Sequence, residues 1–220
     1  MPMPLDIALD SASDPQEIER RSFALIDALV PEPRPFSGAL WEVARRCIHT
    51  LGDVEIAAFL RLSHEGMVRG IAALRQGCTI FTDTRMAASG IPRRRLDPLG
   101  VSVEPMMSLP GLEEAALRKG VTRSRAAVEL LGPRMGGQIV VIGNAPTALL
   151  ALLDFLDNVA EDSPSVPALI VGMPVGFVNA AQSKEWLHRT RWPHFTLLGR
   201  KGGSAVAASC INALANLAVS

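Results

Sequence analysis

Between Gln138 and the end of the chain, short apolar runs alternate with helical stretches: "QIVVIG" then "APTALLALLDFL", "ALIVG" then "NAAQSKEWL", "FTLLG" then "SAVAASCINALANLA". An apolar run with no polar alternation is a strand covered on both faces. Strands separated by helices pair in parallel, because a parallel pair needs a crossover to bring the chain back. Right-handed crossovers then lay successive helices on the faces of the sheet. Upstream, "CTIFTD" and "VSVEP" add two shorter strand-like runs, for about five strands in all. The expected fold is α/β, a single domain over 1–220 with a mostly parallel sheet flanked by helices.

The N-terminal third reads as helical. "SDPQEIERRSFALIDALV" has Asp14 as N-cap, Pro15 in the first turn and Glu17 where a capping box places it. In "FSGALWEVARRCIHTLG", Ser37 is the N-cap and Gly52 the stop, with Leu40, Trp41, Val43, Ala44, Cys47, Ile48 and Leu51 on one apolar face. A third helix, "SHEGMVRGIAALRQG", ends at Gly77, and two more follow in "GLEEAALRKG" and "TRSRAAVELLG". Residues 1–13 are expected to form a loosely ordered N-terminus, and Arg93, Arg94 and Arg95 a solvated loop.

Composition narrows the partners. Lys plus Arg and Asp plus Glu both number 22, so no global field draws in nucleic acid or an anionic membrane. The chain has no tyrosine and few other aromatics on which bases could stack. Cys47, Cys78 and Cys210 are scattered, without CxxC or zinc spacing, which suits small core residues in a reducing compartment. "MPMPLDIALD" has acids and prolines where a signal peptide needs basic residues and then an apolar stretch. No apolar run reaches the roughly 20 residues that span a bilayer. The expected location is the cytoplasm.

Three turns share a design: "GNAPT" (Gly143 to Thr147), "GMPVG" (Gly172 to Gly176) and "GRKGGS" (Gly199 to Ser204). Each follows a strand and opens a helix. In open α/β sheets the ligand crevice lies at that end of the strands. Glycine there either serves a tight turn or lets a ligand approach the backbone, and helix N-terminal N–H groups favour anions. The spacing of GxxxxGK[ST], GxGxxG and GxSxG is absent, so neither a nucleotide cofactor nor a serine nucleophile is expected. Gly202, Gly203 and Ser204 read as an anion-binding helix start. No histidine and carboxylate pair has helical metal-ligand spacing, so no catalytic metal is expected.

Of four histidines, His64 sits at a helix start, His188 near a helix end, and His194 enters a strand. All three read as surface, capping or structural residues. His49, in the last turn of its helix, is either a satisfied, partly buried residue or a proton-transfer group, for which an imidazole pKa of about 6.5 is suited.

"IGNAPTALL", "GMPVGFVNAAQSKEWL" and "GRKGGSAVAA", in this order and spacing, resemble the precorrin-8X methylmutase family of cobalamin biosynthesis. The similarity extends through "RSFALI" (Arg21 to Ile26), "RRCIHTLGDVE" (Arg45 to Glu55), "TDTRM" (Thr82 to Met86) and "GVTRSRAAVEL" (Gly120 to Leu130). The resemblance implies a cytoplasmic homodimeric isomerase without a cofactor. It would move a methyl group from C-11 to C-12 of a tetrapyrrole, giving hydrogenobyrinate or its cobalt form. It implies His49 as the catalytic residue and Ser22 as a substrate contact.

The ring's carboxylates would be met locally by arginine, whose planar fork donates to both oxygens of one carboxylate at once. The rim candidates are Arg21, Ser22, Arg123, Ser124, Arg200, Gly202, Gly203 and Ser204. A carrier of the product that does not catalyse the shift would keep these residues without needing His49. Product could also pass directly to a downstream pathway enzyme. The chain departs from the family's common pattern at Ser89 and Pro92, where histidine and threonine are usual, at Arg125, where a small residue is usual, and in "SHEGM".

Overall fold

The structure, a computed structural model, describes residues 14–219. The expected loose N-terminus, 1–13, lies outside them. Asp14 opens α1 (Pro15–Leu29) by accepting the N–H of Gln16, with Pro15 in the first turn where no N–H is needed. The expected capping box does not close. Glu17 instead takes Arg20 at 2.7 and 2.8 Å and Arg21 at 2.6 Å.

The next helix, α2 (Gly38–Leu51), starts at Ser37, whose hydroxyl makes no capping bond, and stops at Gly52 in the left-handed region, φ 61°. A 3₁₀ turn over Val54–Ala58 leads into β1 (Leu60–Leu62). Ser63 then caps α3 (His64–Arg75), its Oγ accepting from the Gly66 N–H. The chain continues through β2 (Thr79–Thr82), α4 (Arg85–Ser89), α5 (Arg93–Leu96) and β3 (Ser102–Pro105). The three arginines read as a loop form α5, a single turn with all three side chains exposed. Helices α6 (Leu112–Lys119) and α7 (Arg123–Leu131) come before three strand and helix pairs. These are β4 (Ile139–Ile142) with α8 (Pro146–Leu156), β5 (Leu169–Gly172) with α9 (Ala180–Arg189), and β6 (His194–Leu197) with α10 (Ser204–Val219).

The sheet has six strands in the order β1-β6-β5-β4-β2-β3, parallel throughout except where β1 runs against β6. The five strands read from sequence all form. The sixth, β1, is three residues long and pairs Leu60 with Leu197 and Leu62 with Phe195.

Alternate residues of each central strand face opposite layers. Ile139, Val141, Leu169, Val171 and Phe195 join the core under α2, α3 and α10, while Val140, Ile142 and Ile170 join the core under α7 and α8. Both faces are covered, so these strands read as unbroken apolar runs. Strand order reverses between β2 and β4: the chain goes out from β2 to β3, returns past β2 to β4, and continues through β5 to β6. Such a reversal opens a crevice at the carboxyl ends of the strands.

Candidate functional site at the carboxyl edge of the sheet

The three glycine turns meet at this edge, and the structure assigns them different tasks. The N–H groups of the first turn are already taken. Asp83, 1% exposed just after β2, accepts from Gly143 N at 3.0 Å, Asn144 N at 2.8 Å and Ala145 N at 2.8 Å. An internal carboxylate thus fills the turn just ahead of α8, and its Gly143, Asn144 and Ala145 N–H groups are not open to an anion. Burial pushes the Asp83 carboxyl above its ordinary value, against the pull of these donors. A lone aspartate after a short strand resembles any polar turn residue, so sequence gave no sign of this role.

The glycines also bring backbone against backbone. A Cβ on Gly143 would stand 2.7 Å from Ser204 Cα, and one on Gly202 would stand 2.4 Å from the Met173 carbonyl oxygen. No side chain fits at either place. The second and third turns are then stitched together: Gly203 N–H donates to Met173 O at 2.9 Å, and Gly176 N–H to Arg200 O at 3.2 Å. Beyond the stitch, Phe177 and Val178 are 86% and 77% exposed, and the Arg200 guanidinium lies 5.6 Å from the Phe177 ring centroid.

Two tethers fix the third turn. Lys201 Nζ pairs with Asp53, which follows the end of α2. The buried Lys184 of α9 donates from Nζ to Lys201 O at 2.6 Å. The Asp53 tether draws the last turn of α2, with His49, to the "GRKGGS" turn. His49 is exposed there, not partly buried, and its ring meets Phe23 edge-on at 5.4 Å between centroids. The same Phe23 ring carries the guanidiniums of Arg45 at 4.5 Å and Arg46 at 5.1 Å. The "RSF" and "RRCIH" stretches, far apart in sequence, therefore pack against each other.

The remaining candidates are placed as follows. Arg21 is half exposed and pairs with Glu17. Ser22 Oγ donates to Ile18 O at 2.9 Å. Arg123 is largely exposed, with Glu113 at 3.4 Å, and Ser124 is half-buried beside it in α7. Thr122 Oγ1 donates to Thr147 Oγ1 at 3.1 Å, which sets the start of α7 beside the start of α8, at the same edge of the sheet. Ser204 Oγ turns inward to Thr84 Oγ1 at 2.9 Å, so this turn presents backbone rather than hydroxyl.

The departures have local explanations. Arg125 ties α7 to α8 through Asp154 at 3.0 Å, while Ser89 bonds Arg85 O within α4. Pro92, which has no N–H to donate, stands at the N-cap of α5. Elsewhere, His194 is buried with Nδ1 against Trp192 O, and His64 begins α3. Among the described residues no group of three or more His, Cys, Asp or Glu is placed to hold a metal ion.

The fold and the edge define a doubly wound α/β protein with an open, arginine-bearing rim at the carboxyl ends of its strands. The family described as "CbiC: Precorrin-8X methylmutase" matches residues 17–217. The chain is 42% identical over 205 residues to the cobalt-precorrin-8 methylmutase of Salmonella typhimurium, covering 91% of this chain and 94% of that one. It is 42% identical over 209 residues to the precorrin-8X methylmutase of Pseudomonas aeruginosa, covering 94% and 98%. The crystal structure of precorrin-8X methyl mutase from Thermus thermophilus superimposes with a TM-score of 0.82 at 38% identity, over 92% of this chain and 96% of that one. The chain belongs to the precorrin-8X methylmutase family and is an isomerase.

Proposed function

We propose that the rim binds a carboxylate-fringed tetrapyrrole and that His49 supplies the proton that sets its methyl group moving. As a member of its family, the chain converts precorrin-8X or cobalt-precorrin-8 by an internal methyl shift. In the proposed reaction the C-11 methyl bond breaks as the C-12 bond forms, a [1,5] shift around the conjugated ring. Protonation of the ring by the imidazolium makes its π-system electron-poor and favours migration, and the proton returns when the product forms. Atoms balance, since substrate and product are isomers. The product is hydrogenobyrinate, or cobyrinate where the ring carries cobalt.

The observation that carries this reading is the convergence at one edge. The Asp53–Lys201 tether and the Phe23–His49 contact support a site in which His49, the "RSF" stretch and the third turn face the same ligand. Arg21, Ser22, Arg123, Ser124 and Arg200 are the proposed rim contacts, with the backbone of Gly202, Gly203 and Ser204 between them. The exposed Phe177 and Val178 suit the apolar face of a flat ring.

The homodimer rests on family resemblance, because the small residues of α10 that could serve a subunit contact are buried within this chain. No helix among the described residues is long and apolar enough to cross a membrane, in keeping with the proposed cytoplasmic location. Handing product to a downstream enzyme from such an open rim is also part of the proposal. The test is to titrate hydrogenobyrinate into the protein and follow its visible absorption. Saturation near one ring per subunit is expected, and no binding at micromolar concentrations would overturn the reading.

A further inference from the structure

Lys184 is completely buried, one of the largest side chains to be so, yet it carries an amine. Burying an ammonium is costly unless it is paired, and a methionine or leucine would fill the space without that cost. Its Nζ donates to Lys201 O at 2.6 Å, and burial alone pulls its pKa down to about 8. The next carbonyl upstream, Arg200 O, accepts from Gly176 N–H at 3.2 Å. Two successive carbonyls of the third turn are therefore drawn toward the loop before α9 and toward α9 itself.

In a trans peptide the N–H points opposite to its C=O. Holding those two carbonyls turns the N–H groups of Lys201 and Gly202 away from α9. The first-turn N–H groups of α10, which have no partners within the helix, begin two residues later. The Gly203 N–H between them is taken by Met173 O at 2.9 Å, which leaves the adjacent N–H groups of Lys201 and Gly202 as the pair that can meet an anion. We infer that Lys184 is a positioning residue: from beneath the third turn it sets the Lys201–Gly202 peptide so that the Gly202 N–H, beside that of Lys201, meets a substrate carboxylate. It does not touch the substrate. This inference rests on the proposed tetrapyrrole reading, and it adds a residue that neither charge pattern nor exposure would select.

The test compares wild type with K184M, which keeps the stem and loses the donor, and with K184Q, which keeps a donor on a shorter stem. In K184M, hydrogenobyrinate should bind roughly tenfold more weakly, the scale of one displaced hydrogen bond. KM should rise while kcat is nearly kept, and amide exchange across residues 199–203 should speed up, with the melting temperature equal or higher. K184Q should fall between K184M and wild type, and it carries the comparison if K184M does not fold. Product binding within twofold of wild type in a folded variant would overturn the inference. So would a loss accompanied by unchanged amide exchange. If wild type itself fails to bind hydrogenobyrinate, the functional reading fails and this inference with it. If wild type binds and the variants bind equally, the inference alone fails.

Discussion

His49 stands on the last turn of α2, exposed, with its ring edge-on to Phe23. Its removal deletes a proton donor but almost no core. His49→Ala should therefore lower turnover by about 10²–10⁴-fold, as for a lost general acid, while melting temperature and product affinity stay near wild type. A fall in melting temperature with normal turnover per folded molecule would assign the histidine to packing instead. Lys184 gives a pH signature. Burial lowers its pKa to about 8 from the ordinary lysine value of 10.5, so between those values the unfolded chain holds more protons than the folded one. This group's contribution to stability therefore rises with pH across that window. The stability of wild type minus that of K184M, read by urea denaturation, should increase from pH 7 to pH 10. A flat difference would contradict the buried ammonium.

At the level of elements, the turns divide into filled and open. Asp83 satisfies three N–H groups just ahead of α8. Asp83→Ala strands these donors, those of Gly143 and Ala145 being buried, and should destabilise the fold by about 2–4 kcal/mol, measured by the shift in urea midpoint at constant m. Gly202→Ala drives a Cβ to within 2.4 Å of the Met173 carbonyl oxygen, so the second and third turns must separate. A cost of about 1–3 kcal/mol is expected, together with weaker binding of hydrogenobyrinate; a variant that binds as tightly as wild type would show that the stitch is not needed. The strands β4, β5 and β6 were legible because their burial on both faces writes itself as apolar runs, while β2 and the edge strand β3 showed only as shorter strand-like runs. β1 was not legible: "LRL" after a 3₁₀ turn is too short for a period and gains its partner only from β6, more than 130 residues on. The glycine turns were visible, but not their division of labour. That Asp83 fills one and that Gly143 and Gly202 serve backbone contact depend on residues brought together only by the strand order.

For the whole molecule, the proposed rim draws on residues that the sequence holds far apart. Arg21, His49, Arg123 and Arg200 are spread over 180 positions, and only the folded sheet and its helix packing place their segments along one edge. Ser204 shows the limit of reading residue types alone: its hydroxyl faces Thr84, leaving only its backbone for a ligand. The assembly is testable without reference to the chemistry. Light scattering should give twice the chain mass at micromolar concentrations, and a monomer at every concentration would remove the homodimer while leaving the site intact. The central claim is that this chain catalyses the methyl shift and does not merely carry its product. The most direct test is to mix the purified protein with precorrin-8X, with no other reagent, and record the visible spectrum and the mass of the pigment with time. Conversion to hydrogenobyrinate over many turnovers at unchanged mass is predicted. A bound pigment whose spectrum stays that of precorrin-8X would contradict the account and identify the protein as a carrier.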